Sequence, residues 1–292
     1  LQRPEAFHLD GWDAHGLIRD TIQHVLTDLH ADDGSRSPLE SLVAAHIQEV
    51  RRAGQLPMGG IGERTQTALV DAIVPVLRAW QTQRIRYACA WGRKRLHFEH
   101  AGLVLEDWLD QLYQEEQEEG GDTAVPAWLG WDASRLCANL DKGVVRVDKL
   151  VSAWTRSVAA AASGIVVQAI LVGRDATLTI APMDSTHAQE TLAMLLDVVR
   201  LGLSEPLPLA LKTGLALVEG KNPREVYEGT HQNNYQGERE EPSLYRLFPD
   251  YETLSADARF EALSHRVYGA LQRWAQEHVQ VCAHTTDVEV HA

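Results

Sequence analysis

Cysteine is scarce in this chain: the three residues Cys89, Cys137 and Cys282 are odd in number and far apart along 292 positions. Such a set does not make a disulfide framework, and a reducing cytoplasm is the expected compartment. Long apolar runs are missing as well. The richest, Val158 to Val172, is broken by Ser163, Gly164 and Gln168, so nothing approaches the roughly 20 apolar residues of a membrane span. No basic-then-apolar signal peptide opens the chain. It begins at Leu1 rather than methionine, so a piece of a longer protein is expected. Positive charge is also short. With 27 Lys and Arg against 41 Asp and Glu the net charge is -14, which disfavours a free-standing nucleic-acid binder that must neutralise phosphates.

Several catalytic fingerprints are absent too. The loop PMGGIGE (Pro57 to Glu63) leads into a helix, the geometry that binds phosphate. It has no preceding strand and no Gly-Lys-Ser/Thr ending, so it fits neither nucleotide fingerprint and reads as a glycine-rich helix approach. No Gly-x-Ser-x-Gly elbow exists, and Ser163-Gly164 ends a helix instead. The 13 histidines raise the question of a metal. His97 and His100 flank Glu99 but would face opposite sides of a strand, and His278, Cys282 and His284 lie in what reads as a fraying terminus. No metal and no cofactor is expected from these groups.

What is present is enough apolar material for a sizeable core, 45% hydrophobic residues with 23% charged. Residues 1–81 read as a helical segment. Leu17, Ile18, Ile22, Val25, Leu26 and Leu29 recur at helical spacing, and Asp32 to Ser35 form a turn. Pro38 takes the first position of a second helix whose face is Leu39, Leu42, Val43, Ile47 and Val50. After a loop from Gly54 to Gly62, a third helix spans about Glu63 to Trp80, with Pro75 bending or ending it. From residue 82 the period shortens towards two: Ile85, Tyr87 and Cys89, then Leu96 and Phe98, then Leu103 and Leu105, with Trp91-Gly92-Arg93 as the hairpin turn. The polar run from Gln114 to Thr123 is a solvated connection, and 114–141 has no assigned structure. Val144 to Val147 is a short strand, and a helix through Leu150, Val151, Trp154 and Val158 ends at Gly164. Strands Ile165 to Val172 and Ala176 to Ile180 follow around Gly173-Arg174-Asp175. A helix from Thr186 to Leu201 is stopped by Gly202, and a last helix runs from Ala256 to His278. This order predicts an α/β fold, a mixed sheet with helices over 82–292 on which the helical segment packs. Trp80, Trp91, Trp108, Trp128, Trp131, Trp154 and Trp274 are of a type that stacks on bases, but most stand at core spacing and core packing is the expectation; Tyr245 and Phe248 are expected to anchor a turn.

Two groups of residues bear on function. Arg84, Arg86, Arg93, Lys94 and Arg95 fall within twelve positions, ahead of an acidic stretch from Glu106 to Asp122. They are candidates for a local DNA-facing surface; the plainer reading is a solvated strand and loop face. The second group tests for nuclease chemistry. A metal-dependent nuclease needs carboxylates around Mg²⁺ and a lysine near the attacking water. In one common nuclease sheet these are an Asp on one strand and an acid-x-Lys triplet on the next. Asp110 is placed for the first role. The next apolar strand, GVVRVDKL (Gly143 to Leu150), has Asp148 directly followed by Lys149, and shifting the register puts Arg146 where an acid is needed and Asp148 where the lysine is needed. The expectation is a nuclease-like sheet, of the PD-(D/E)XK type, with its catalytic residues lost. The alternative is an active Mg²⁺-dependent nuclease using Asp110, Glu106 and Lys149.

Longer segments carry a family likeness. RLGLSEPLPLALKTGLALVEG (Arg200 to Gly220), REVYEG (Arg224 to Gly229), GEREEPSLYRLFPD (Gly237 to Asp250) and FEALSHRVYGALQRW (Phe260 to Trp274) come in order. PEAFHLDGWDAHGLIRDTI (Pro4 to Ile22), RRAGQLPMGGIGE (Arg51 to Glu63) and KLVSAWTRSVAAAASG (Lys149 to Gly164) precede them. Together they resemble the C-terminal region of RecC, the gamma chain of exodeoxyribonuclease V. The resemblance implies a non-catalytic part of the heterotrimeric RecBCD helicase–nuclease. It would be partnered by RecB-like and RecD-like subunits, with DNA bound in the complex, supporting assembly and strand guidance during double-strand-break repair and recombination. It also implies a nuclease-like fold without activity. A protein-interaction domain with no DNA contact is the third reading, favoured by the net charge.

Overall fold

The structure, a computed structural model, describes residues 11–31, 38–116, 124–230 and 235–284; the expected turn at Asp32 to Ser35 and most of the polar run after Gln114 lie outside them. Three helices open the chain: α1 (Gly11–Ala31), α2 (Leu39–Arg52) and α3 (Gly59–Arg86). Each buries one stripe at helical spacing. Ile18, Ile22, Val25 and Leu26 of α1 meet Val43 and Ile47 of α2 and Ile73, Leu77 and Trp80 of α3. Pro38 caps α2 from outside rather than opening it, its carbonyl accepting from Ser41 and Leu42.

Helix α3 departs from expectation at both ends and in the middle. It begins at Gly59, where the chain folds so tightly that a Cβ on Gly62 would lie 1.9 Å from the Pro57 carbonyl oxygen. It continues through Pro75. Proline costs a helix interior about 3 kcal/mol, and burial of the adjacent Val74, Val76 and Leu77 opposes that cost. It ends at Arg86, so Arg84, Ile85 and Arg86 are helical and not strand. A strand would put Ile85 and Tyr87 on one face, yet Ile85 is 80% exposed and Tyr87 1%.

Six strands form one mixed sheet in the order β1 (Cys89–Ala90), β4 (Leu112–Gln114), β5 (Ala127–Trp131), β8 (Gln168–Val172), β9 (Ala176–Ile180), β12 (Val279–Ala283). All neighbours are antiparallel except β5 and β8. That parallel pair needs a crossover, supplied by α4 (Val151–Ala162), which ends as expected with Gly164 at φ +75°. Between β1 and β4 stands a separate hairpin, β2 (Lys94–His100) and β3 (Leu103–Leu109). Its turn is Ala101-Gly102, both with positive φ (48° and 82°), the two-residue geometry that matches strand twist. Trp91 to Arg93 is instead the link from β1 to β2. Strands β6 (Cys137–Asn139) and β7 (Val144–Val145) make a small ribbon. The stretch 114–141, unassigned from sequence, thus holds the strand β5 of the main sheet.

The sheet is covered on both faces. Ala127, Leu129, Ile170 and Val172 pack under the three opening helices. Trp128, Ala169, Leu171, Leu178 and Ile180 face a second layer of α4, α5 (Ser185–Ser204), α6 (Leu211–Val218) and α10 (Arg259–His278). Helix α5 passes through Gly202, where glycine serves packing: a Cβ would sit 3.3 Å from Leu207 Cδ1. Smaller elements, α7 (Pro223–Glu228), β10 (Gly229–Thr230), β11 (Tyr235–Gln236), α8 (Pro242–Leu247) and α9 (Tyr251–Ala256), surround a third cluster of Ala210, Tyr227, Phe248, Leu254 and Phe260. Phe248 anchors there as expected; Tyr245 does not, being 60% exposed. The last helix starts at Arg259, after Asp257 leaves the helical region with ψ 113°. Strand β12, paired along its length with β9, replaces the expected frayed terminus. Among the described residues no helix is long and apolar enough to cross a membrane.

This third cluster gives a pH test. The Tyr227 hydroxyl donates to the Phe248 carbonyl at 2.5 Å, and burial pushes its pKa up to about 12, with Glu238 and Asp250 adding to the rise. Burial also raises Tyr268. A folded state that holds these protons more tightly keeps that stabilisation below pH ~10 and loses it as pH climbs towards 12. Denaturant midpoints should fall steeply across that window, and less so in Tyr227→Phe; an unchanged slope in the variant would rule out Tyr227 as a source.

Candidate nucleic-acid interface

The five basic residues are divided by β1 into two groups. Arg84 and Arg86 stand at the end of α3 beside β4. The Arg84 guanidinium lies 3.9 Å from the Tyr113 ring centroid and donates to the Tyr87 carbonyl. Arg86 pairs with Glu115 at 2.7 Å. Arg93, Lys94 and Arg95 meet at the base of the hairpin. Arg95 is paired with Glu106 across the β2–β3 ladder, and that contact holds the Glu106 carboxyl below the usual range. Arg93 lies over Trp108 at 4.7 Å and Lys94 over Trp91 at 4.2 Å. Among the described residues no carboxylate pairs with Arg84, Arg93 or Lys94, whereas Arg86 and Arg95 each pair with one. Both hairpin histidines are engaged, His97 within the hairpin with Glu99 at 3.2 Å and His100 with Asp197 of α5 at 3.1 Å.

The strand reading of Gly143 to Leu150 needs correction. Strand character stops at Val145, and Val147–Lys149 is a 3-10 turn leading into α4. The Arg146 amide is drawn to the Leu136 carbonyl (2.7 Å), and the Arg146 guanidinium pairs with Asp148 at 3.1 Å. Asp110 is exposed just ahead of β4, and the strand that flanks β4 towards the sheet centre is β5. β5 reads Ala-Trp-Leu-Gly-Trp and carries no ionisable side chain.

Where β4, β5 and the start of α4 meet α1 there is a cavity of about 490 Å³. Trp80, Tyr113, Trp128 and Trp131 give it aromatic walls, and Lys149 and Arg156 give it two cations. Among the described residues its one carboxylate is Asp132, which accepts the Ser134 amide at 2.6 Å. Arg156 lies over Trp128 at 4.9 Å, and Arg84 covers the Tyr113 ring that lines the cavity. Among the described residues neither Lys149 nor Arg156 enters an ion pair. Asp110, Arg146 and Asp148 do not line it. Sequence reasoning misses Arg156, and it sets Trp131 among the core tryptophans in preference to a base-stacking role. A signal existed for the first: Lys149, Ser152, Ala153 and Arg156 recur at helical spacing beside the apolar stripe of Leu150, Trp154 and Val158.

The family model of the RecC C-terminal domain matches residues 1–222. The chain belongs to the RecC C-terminal domain family. RecC is the gamma chain of exodeoxyribonuclease V, so membership ties the chain to the RecBCD complex of DNA repair. The matched range contains all five basic residues and the whole cavity lining. The segments Arg224 to Gly229, Gly237 to Asp250 and Phe260 to Trp274 lie beyond it. No curated protein matches the chain.

Proposed function

We propose that the chain is a non-catalytic scaffold within a RecBCD-type complex, a nuclease-like sheet converted from cutting DNA to holding and guiding a strand. The observation that carries this reading is the make-up of the cavity. A nuclease needs several carboxylates converging on one cation. Here the strand next to β4 offers indoles instead, and the single carboxylate is taken by a backbone amide. Aromatic faces interleaved with unpaired cations are what single-stranded nucleic acid requires. In a chain of net charge -14, such cations at one place are a local exception rather than a background. The five basic residues along the β1 edge extend the same field, with Arg93 and Lys94 the most available. RecB-like and RecD-like subunits are the proposed partners, DNA is engaged in their company, and the setting is the cytoplasm. The helical part of this unit runs to the end of α3 at Arg86, five residues beyond the boundary expected at 81, and the sheet domain follows it.

The test is incubation of the purified chain with linear single- and double-stranded DNA and Mg²⁺, alongside Asp110→Ala. No cleavage by either is expected. Cleavage by the parent chain that disappears in Asp110→Ala would establish an intact nuclease and end the scaffold reading.

A further inference from the structure

Away from the cavity, the outer side of α1 and α2 brings two histidines and two carboxylates together. On α1, His24 and Asp28 are one turn apart, with Nε2 3.4 Å from Oδ2. On α2, His46 and Glu49 are three residues apart, with Nδ1 3.8 Å from Oε2. Both spacings put the pair on one helix face. The helices pack so that the two imidazoles stack, centroids 4.2 Å apart and planes 26° apart. One ligand atom from each of His24, His46 and Glu49 falls within 4.8 Å of the others.

A second observation points to a missing ligand. The Nδ1 atom of His46 is shut off from solvent and has no hydrogen-bond partner. Buried polar atoms are nearly always partnered, so this one asks for an electron-pair acceptor or a donor that the helices do not supply.

We propose that His24, His46 and Glu49, with Asp28 beside them, form a site for one divalent transition-metal ion, clamping α1 to α2. Two imidazole nitrogens with carboxylate oxygens suit zinc, copper or nickel rather than magnesium or calcium, which prefer all-oxygen sets. Metal–ligand bonds of about 2.0–2.2 Å require the side chains to draw in from their present spacing. His24 and Glu49 are exposed and free to do so. The site shares no residue with the cavity lining, so its role is to fix the helical layer rather than to take part in chemistry on DNA.

Cobalt(II) titration of the 292-residue chain tests it. One equivalent should bind with the visible absorption of a low-coordinate N/O site, zinc should displace it, and excess Mg²⁺ should not. His46→Ala and His24→Ala should each weaken binding beyond the roughly 10–100-fold that losing an outer-shell partner costs. Glu49→Gln, an exposed change that leaves the helix intact, should weaken it as well, and zinc should raise the melting temperature of the parent but not of His46→Ala. His284→Ala serves as a control that leaves binding unchanged. Absence of the cobalt band, or a band of full strength in both His24→Ala and Glu49→Gln, would overturn the proposal.

Discussion

Trp154→Ala is expected to destabilise the chain by about 3–5 kcal/mol, the range for truncating a fully buried tryptophan. Trp154 is 2% exposed and is the largest of the fully enclosed side chains. It sits in the cluster that fastens the second helical layer to the sheet, in company with Leu150, Val158, Leu171 and Leu178. No neighbour can close over the space an indole leaves without moving α4, and α4 carries the cavity residues Ser152, Ala153 and Arg156. Stability and the geometry of the candidate site should therefore fall together. Trp154→Phe separates two contributions. The indole Nε1 is buried without a hydrogen-bond partner, so replacing it removes an unsatisfied donor while keeping most of the aromatic volume. A loss well below that of the alanine variant is expected. Denaturant unfolding of the three proteins measures this, and an alanine variant within about 1 kcal/mol of the parent would mean α4 is not part of the cooperative core.

The contrast between Trp154 and Trp128 explains how much could be read before the structure. Trp154 lies in a helix with a clear stripe and a glycine stop, so its burial was legible from spacing alone. The same holds for α1, α2 and the β8–β9 hairpin. Trp128 lies in a five-residue strand buried on both faces, with no polar alternation to mark it. A polar run just upstream gives the whole stretch the character of a connection, so the next apolar strand legible in the sequence is Gly143 to Leu150. The strand that does flank β4, β5, has no acid or lysine of its own. Pro75 and Gly202 misled for a related reason: their local preference against helix is outweighed by packing against elements far away in sequence. The basic cluster was legible, but its neutralisation was not. Glu115 and Glu106 reach Arg86 and Arg95 only through the β1–β4 and β2–β3 pairings. The cavity draws on α1, α3, β4, β5, α4 and β8 at once, so no single window could contain it.

If a DNA strand engages that cavity, Trp131→Ala and the double reversal Lys149→Glu with Arg156→Glu should weaken binding in different ways. Trp131 is half-buried and lines the cavity, whereas Trp80 and Trp128 are buried core residues whose loss would unfold the site as well. Base–aromatic stacking is worth about 1–3 kcal/mol per base, so Trp131→Ala should lower the affinity of the assembled complex for single-stranded oligonucleotide roughly 5–150-fold, with little change in its salt dependence. Phosphate contacts behave otherwise: each contributes about 0.7 to the slope of log K against log salt for single strands. Reversing Lys149 and Arg156 removes two such contacts and adds two repulsive charges, so it should flatten that slope by at least roughly 1.4 and cost most affinity at low salt. Arg156 also lies over Trp128, so the reversal removes a cation–π contact as well as a charge. Measuring affinity across a salt series for the parent and both variants separates stacking from charge. If neither affinity nor slope moves, the strand does not use this cavity. The net charge of -14 would then favour the reading in which the chain binds its protein partners alone.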